Sequence, residues 1–269
     1  MRPPEEARRA LEQIEANSAR ISAPLTASPA LVSFRFRDAD GRERRLVGQS
    51  ATLIFGEPRC LYFDIKNLAG SLAHIGCDDE RYWFWVDLPD IRKLWWGTWE
   101  ALAADRARSL AVPPDRLLDA LMFRALPERL ADGPPPLLVE QAGVRRLLFQ
   151  RRDDNGWPYV AREVLLAASP PHLPVEIIDR SPDGTLVMQA TLAGYQRVSG
   201  AGSDAPFTPR RYVVQWPRDH AEMRLDLLDV KYRMRALPFC DFPGDWKGPV
   251  ESLDREEAGA PQASRSRLP

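Results

Sequence analysis

The stretch DDERYWFWVDLPDIRKLWWGTW, residues 78–99, contains five of the eight tryptophans in the chain. Its centre, RYWFWVD, is apolar on both faces of an alternating strand: Tyr82, Phe84 and Val86 point one way, and Trp83 and Trp85 point the other way. A half-buried strand needs only one apolar face. We therefore predict that one set fills a core and that a helix, a partner or an apolar ligand covers the other.

Alternating runs continue on both sides of this stretch and are joined by short turns. About six strands are predicted between residues 30 and 97, with turns at 38–41, 67–70 and 88–90. More strands are predicted between residues 144 and 235, with turns at 154–156, 182–184 and 217–220. Short connections favour sequential antiparallel pairing. A sheet of about eleven twisted strands curls into a barrel or a half-barrel.

Two segments have the spacing of amphipathic helices. They are residues 4–21 and residues 98–126, and the second carries the stripe Leu117, Leu118, Leu121 and Met122. Each stripe must cover something. The predicted fold class is mainly β (α+β), an unclosed antiparallel half-barrel of about eleven strands with an N-terminal helix and a mid-chain helical lid on the concave face. We expect a single domain over residues 1–243 and a disordered tail, rich in Gly, Pro and Ser, over residues 244–269.

The alternation also predicts which side chains point into the half-barrel. Tyr82, Phe84 and Val86 are placed inward because Arg81 and Asp87 bracket the other face of that strand. Apolar residues at matching positions on other strands and on the lid complete a candidate wall for an apolar ligand. The full set of candidate cavity residues is Leu53, Phe55, Leu61, Phe63, Tyr82, Phe84, Val86, Leu117, Leu121, Met122, Leu186 and Met188.

Motifs for catalysis or metal binding are weak. None of the three histidines stands at ligand spacing from another histidine or a cysteine. Ser71 and His74 lie in LAGSLAHIG, which lacks the Gly-x-Ser-x-Gly elbow of hydrolases. The DADG motif that begins at Asp38 resembles a calcium loop but has Gln49 where that loop needs a glutamate. We therefore predict a protein that is not an enzyme, with no catalytic residue, no metal site and no cofactor.

The charge balance argues against nucleic acid as a partner. The formal net charge is −1, so no global field attracts a polyanion. Arginine far outnumbers lysine, which is open to two interpretations, an RNA-binding surface or biased codon usage. Because acidic residues match the basic ones in number, the second interpretation is favoured.

The three cysteines, Cys60, Cys77 and Cys240, form neither a disulfide framework nor a zinc set by their spacing. A hairpin about Leu68 brings Cys60 close to Cys77, which leaves a bridge and two core thiols both open. The sequence contains no run of 18 apolar residues, so it does not predict a transmembrane helix. The opening MRPPEEARRA lacks the apolar core of a secretory leader. Two alternatives remain: the protein is cytoplasmic, or a leader has been removed from this chain.

The order of these elements resembles the LolA/LolB-type lipoprotein-carrier family over about residues 5–242. The opening helix is matched by ALEQIEANSARI, residues 10–21. A strand pair of the family is matched by IFGEPRCLYFDI, residues 54–65, followed by HIGCDDERYWFWV, residues 74–86. The end of the first half is matched by LWWG, residues 94–97, and the later hairpins by PVEIIDRSPDGTLVMQATLAGYQRV, residues 174–198, and AEMRLDLLDVKYR, residues 221–233.

The resemblance implies non-enzymatic binding of lipid or lipoprotein acyl chains in a hydrophobic cavity, by a carrier or receptor of the cell envelope. It implies the periplasm or the inner face of the outer membrane, a lipid or an acylated protein as partner, and membrane association through an N-terminal anchor that would precede this chain. An alternative is an envelope interaction or sensor module on the same scaffold, its cavity filled by its own side chains. No residue matches the helix-latching arginine of the family, so no site residue is transferred.

Overall fold

The computed structural model describes residues 4–21, 23–37, 41–56, 59–104, 106, 114–122, 126–130, 133–200, 202–233, 240–244 and 246–254. Within these residues, no helix has both the length and the apolar character needed to cross a lipid bilayer. Most of the described chain is β-strand, as the alternation predicts.

The first half of the chain forms a continuous antiparallel meander after one helix, α1 (Glu5–Ser18). Each turn falls where Gly, Asn, Asp or Pro interrupts the alternation. The six strands are β1 (Leu25–Arg37), β2 (Glu43–Gly56), β3 (Cys60–Asn67), β4 (Gly70–Cys77), β5 (Arg81–Leu88) and β6 (Ile91–Thr98).

Two short helices then precede the second half of the sheet. They are α2 (Trp99–Ala103), whose first turn is capped by the Thr98 hydroxyl, and α3 (Pro114–Ala120). The strands that follow are β7 (Leu137–Gln141), β8 (Val144–Arg152), β9 (Pro158–Leu166), β10 (Pro174–Arg180), β11 (Leu186–Ala193), β12 (Gln196–Arg197), β13 (Phe207–Thr208), β14 (Arg211–Trp216), β15 (Ala221–Leu227), β16 (Val230–Tyr232) and β17 (Val250–Ser252).

One sheet of 15 strands contains all of these except the small β12–β13 pair. Its order is β17-β6-β5-β4-β3-β2-β1-β15-β14-β11-β10-β9-β8-β7, and β16 also pairs with β1. The two halves are joined by antiparallel pairing of β1 with β15, in which Val32 lies opposite Leu225. Among the described residues no pairing joins β7 to the other edge, so the barrel is unclosed. The half-barrel prediction is confirmed, with more strands than the eleven expected.

Both longer helices pack on the same, concave side of this sheet. Ala7, Ala10, Leu11 and Ile14 of α1 pack in a cluster with apolar residues of β8 and β9. Leu117, Leu118 and Leu121, from α3 and the turn after it, are at most 1% exposed and belong to the main core with strands of both halves. Helical stripes therefore cover the concave face, as predicted.

The C-terminal segment differs from the predicted disordered tail. We call its described residues, 240–244 and 246–254, the strap. Cys240 forms a disulfide with Cys60 (Cα–Cα 5.4 Å), and β17 pairs in parallel with β6. The Asp254 carboxylate accepts hydrogen bonds from the Thr98 backbone N–H (3.1 Å) and hydroxyl (2.8 Å). These contacts attach the strap to the sheet, although its composition is typical of a loop. Residues 255–269 of the predicted tail lie outside the described part of the chain.

Candidate functional site

An apolar pocket, which we call the mouth pocket, lies at one end of the concave face. The ends of β1, β3 and β5 and the beginnings of β2, β4 and β15 meet there. Every lining side chain is apolar, and the cavity itself is small, about 10 Å³. That is room for about one water molecule. The lining residues are Phe34, Phe36, Leu46, Phe63, Ile65, Ala73, Ile75, Phe84, Val86, Leu88 and Met223.

The aromatic rings of this pocket are in contact with one another. Phe34 and Phe36 have centroids 5.3 Å apart, and Phe84 stacks on Trp95 with centroids 5.9 Å apart. Phe84 and Trp95 are only partly buried, whereas Phe63 is 1% exposed. The pocket is therefore an apolar depression. Its inner wall belongs to the buried core, and its outer edge is in contact with solvent.

A second apolar pocket, of about 30 Å³, lies between α1, the end of α3 and the β10, β13 and β14 strands. Ile14, Leu121, Met122 and Tyr212 are among its lining residues. Burial raises the pKa of Tyr212 well above its ordinary value, so its phenol stays neutral. Leu117 and Leu118 belong to the filled main core, which also contributes lining residues to both pockets.

Polar contacts hold α3 to the sheet on its other side. The Arg162 guanidinium of β9 donates from Nη2 to Asp119 Oδ2 of α3 (2.7 Å), and from Nε and Nη2 to the two carboxylate oxygens of Asp179 on β10 (2.7 and 2.8 Å). Burial lowers the pKa of Arg162, but hydrogen bonds and charge from Asp179 and Asp119 outweigh it and raise the pKa overall. This buried ion triplet fixes the orientation of α3, because breaking one partner leaves a buried charge.

The structure brings most of the predicted cavity residues into one core. Leu53, Phe55, Leu61, Tyr82 and Met188 are at most 3% exposed and lie in the interior of the main core, without lining either pocket. Leu117 also lies there. Phe63, Phe84 and Val86 line the mouth pocket, and Leu121 and Met122 line the second. Leu186 is half buried and belongs to neither core cluster.

Several mouth residues were missed by sequence reasoning. Phe34 and Phe36 alternate with arginines in SFRFR, and Met223 begins an alternating strand. The alternation marks their inward direction. Their place at the mouth depends on the β1–β15 pairing, which no local pattern reveals.

The outward aromatic residues of the opening stretch are covered by the strap. Trp83 is 1% exposed, and its ring meets Phe242 edge-on with centroids 5.7 Å apart. Trp85 packs against Trp246 at 5.4 Å. A Cβ on Gly76 would lie 2.4 Å from the Trp83 ring, so glycine is what lets that indole lie on the sheet. The second apolar face is thus covered by the chain itself.

The same outer face buries a histidine. His74 is 6% exposed and stacks on Trp85, with centroids 5.8 Å apart. Burial lowers the pKa of His74 to about 4, against a smaller opposing effect of Asp64. This histidine is neutral at physiological pH and is part of the packing.

The cysteine pairing differs from both alternatives that the sequence leaves open. Cys60 is bonded to Cys240, 180 residues away, rather than to Cys77. Cys77 is buried and its thiol donates to the Arg59 carbonyl oxygen (2.7 Å). Two cysteines 180 residues apart form no recognisable spacing pattern, so the sequence does not predict that Cys60 pairs with Cys240.

Solved structures with the same architecture cover most of the chain. A LolA superfamily protein from Nitrosomonas europaea matches with a TM-score of 0.50 over 87% of this chain and 97% of its own, at 13% identity. The chain has a LolA-like fold. A domain assigned to outer membrane lipoprotein sorting from Vibrio parahaemolyticus matches with a TM-score of 0.51 at 12% identity, over 86% of this chain and 94% of its own.

A DUF1329 family protein from Desulfovibrio piger has the same LolA-like fold, with a TM-score of 0.53 at 10% identity over 90% of this chain and 98% of its own. No protein-family model and no curated protein sequence matches the chain. At these identities the likeness is one of fold.

Proposed function

We propose that the protein binds acyl chains of a lipid or lipoprotein on its concave face, without catalysis, as a carrier or receptor of the cell envelope. The observation that carries this proposal is the mouth pocket, whose lining is apolar without exception and whose front edge is half exposed. Binding in such a pocket removes the apolar surface of an acyl chain from water, which is favourable. The lipoprotein-sorting role given to the Vibrio parahaemolyticus domain of similar fold supports the same ligand class.

Loading requires the interior to open, because the pockets as they stand are about 10 and 30 Å³. The element that would have to move is α3, since Leu117, Leu118 and, in the turn after it, Leu121 belong to the filled core that also contributes lining residues to both pockets. Exposing three leucines costs roughly 5–9 kcal/mol. Burying about twelve methylenes of an acyl chain contributes roughly 10 kcal/mol. On apolar burial alone the exchange of α3 for an acyl chain is therefore close to balanced, and breaking the Arg162–Asp119 ion pair adds to the cost of opening.

The rim around the mouth pocket favours contact with a membrane or an acylated protein. Leu68, at the β3–β4 turn, is fully exposed, and Trp157, beside the β8–β9 turn, is 71% exposed. The strand register places both turns at the same end of the sheet as the mouth pocket. Single exposed apolar residues are ordinary on protein surfaces, so these two support the proposal only by their place at the end where the mouth pocket opens.

The disulfide supports an envelope location. Disulfides persist in oxidising compartments such as the bacterial periplasm and are rare in the cytosol. Cys60–Cys240 joins the strap to the start of β3, and Cys77 is a buried free cysteine. We therefore propose the periplasm, or the periplasmic face of a membrane, as the site of action.

A second candidate function is an interaction or sensor module that carries no lipid. The filled interior favours it, because Leu117 and Leu118 are 0% exposed where a ligand would lie. On this account the exposed rim binds a partner protein while the core stays closed.

Native mass spectrometry after purification without detergent separates the two. Extra mass that matches a fatty acid, a phospholipid or an acyl peptide supports the carrier. Bare protein that also fails to bind a fluorescent fatty acid at micromolar concentration, after denaturing delipidation and refolding, rules it out in favour of the interaction module. Recovery of the native circular dichroism spectrum after refolding is the control.

A further inference from the structure

A cavity of about 490 Å³ lies on the side of α3 opposite its leucines, against the ends of β8, β9 and β10. Its walls include the apolar parts of Tyr159, Ala161 and Val187. Its charged lining consists of three carboxylates, Asp115, Asp119 and Asp179, and five guanidinium groups, Arg116, Arg151, Arg162, Arg180 and Arg218. Five cations facing three anions give the lining a net charge of about +2.

One of the five arginines is already saturated. Arg162 forms the floor of the cavity, 11% exposed, and is hydrogen bonded to Asp119 and Asp179 as described above. It organises the floor and has little capacity for a ligand. Any binding of an anion therefore depends on the other four.

Arg180 and Arg218 of those four have weak partners, and Arg116 interacts electrostatically with Asp115 and Asp219. Arg180 lies 3.4 Å from Glu163, and Arg218 donates to the Ser181 hydroxyl (2.7 Å) and lies 3.6 Å from Asp183. Such half-exposed ion pairs are worth little. Within the described part of the chain, no carboxylate lies within ion-pair distance of Arg116 or Arg151.

Three more carboxylates lie next to these arginines outside the lining, Glu163, Asp183 and Asp219, so the excess of positive charge is confined to the lining itself. Asp219, behind the lining, interacts with Arg116 and Arg218, and burial raises its pKa above the ordinary value. Burial also raises the pKa of Asp115, with a smaller contribution from Asp119. The lining keeps two more guanidinium groups than carboxylates, and these guanidinium groups are what an anion in the cavity would contact.

The cavity opens at the same end of the half-barrel as the mouth pocket. Val187 of β11 lines the first and Met223 of β15 lines the second, and β14 is the one strand between them in the sheet. The strand registers place Met223 level with Val214 and Ala190, so Val187 lies two strands across and three residues along, about 14 Å away. One amphiphile is long enough to span that separation, with its polar end in the cavity and its acyl chain in the mouth pocket.

We propose that this arginine-lined cavity binds the phosphate group of an anionic amphiphile. Guanidinium groups recognise phosphate through paired, charge-assisted hydrogen bonds, and several arginines around one cavity suit a doubly charged group. The inference deepens the proposed function, on which it rests for the acyl end, by naming the polar end of the ligand.

The test uses the full chain and three probes in isothermal titration. Dihexanoyl phosphatidic acid, below its micelle concentration, carries both ends. Dihexanoylglycerol carries only the acyl end, and inorganic phosphate only the polar end. The parent should bind the phosphatidic acid most tightly, and raised salt should weaken that binding and leave dihexanoylglycerol unaffected.

The variant is Arg116→Gln with Arg151→Gln, and its matched control is Arg9→Gln with Arg20→Gln, which removes two exposed charges away from the cavity. The first should weaken phosphatidic acid binding by about tenfold or more, because two charged contacts are lost. It should leave dihexanoylglycerol binding and the melting temperature unchanged. The control should change neither.

Equal affinity of the parent for phosphatidic acid and dihexanoylglycerol overturns the phosphate site and leaves the proposed function standing. Failure to bind dihexanoylglycerol counts against the proposed function itself. Inorganic phosphate that binds as tightly as phosphatidic acid overturns the lipid assignment in favour of free phosphate. Displacement of phosphatidic acid by a short polyglutamate peptide at similar concentration overturns it in favour of an acidic protein partner.

Discussion

Replacement of Phe84 by alanine, compared with replacement of its neighbour Trp83, separates the ligand face of the sheet from its structural face. Phe84 lines the mouth pocket and is partly exposed. Trp83 points to the other side, is 1% exposed and packs on Phe242. The two side chains are adjacent in the chain and similar in chemistry, so each is the control for the other.

The expected magnitudes follow from burial. Removal of a fully buried Phe or Trp side chain costs about 3–5 kcal/mol of unfolding free energy, and Trp83→Ala should fall in this range. Phe84 is only partly buried, so Phe84→Ala should cost roughly 2 kcal/mol. For binding the order reverses. Phe84→Ala should lower the affinity for a fluorescent fatty acid about tenfold, which corresponds to roughly 1.4 kcal/mol of binding free energy. Trp83→Ala should leave that affinity unchanged.

Urea denaturation and fluorescence titration of the same two variants provide both numbers. A result in which Trp83→Ala weakens the fatty acid and Phe84→Ala does not inverts the assignment of the two faces. If neither change affects binding while both lower stability, Phe84 is ordinary core and the mouth pocket is not the entry site.

Three further predictions address the cover, the strap and the pH dependence. Leu121→Asp places a carboxylate at a position that is 1% exposed and should lower the melting temperature steeply, whereas a parent-like melting curve would mean that α3 does not cover the sheet. Cys240→Ser should lower the unfolding free energy by about 2–4 kcal/mol and open the strap to protease, and equal stability of the parent with and without reductant contradicts this. His74, which faces Asp64 and Lys66, is harder to protonate in the folded protein, with a pKa of about 4 instead of 6.5. The unfolded state therefore takes up the proton first as pH falls, so stability is complete above pH 6.5 and should drop by about 3 kcal/mol towards pH 4. His74→Asn should flatten this part of the pH profile in urea titrations, and an unchanged profile assigns the loss to other groups.

The strands of the fold could be predicted because their signal is local. Each hairpin carries its own alternation and turn residues, and the two-faced strand at Tyr82–Val86 requires cover on both sides. The inward direction of Phe84 also follows from local charge, since Arg81 and Asp87 bracket the opposite face.

The strap and the polar cavity could not be predicted, because their contacts join distant parts of the chain. Cys240 and Phe242 stand among prolines, which is typical of a loop, and nothing local pairs them with Cys60 or Trp83. Gly76 is the nearest to a usable signal, since a glycine opposite a tryptophan makes room for its ring on the sheet.

Photo-crosslinking with a fatty acid that carries a diazirine near the end of its chain tests the central claim most directly. The label, mapped by peptide mass spectrometry, should saturate with concentration, compete with unlabelled fatty acid and fall on mouth residues such as Phe36, Phe84 and Met223. A label that fails to saturate, or that falls on the strap and the outer face around Trp85, would contradict binding on the concave side.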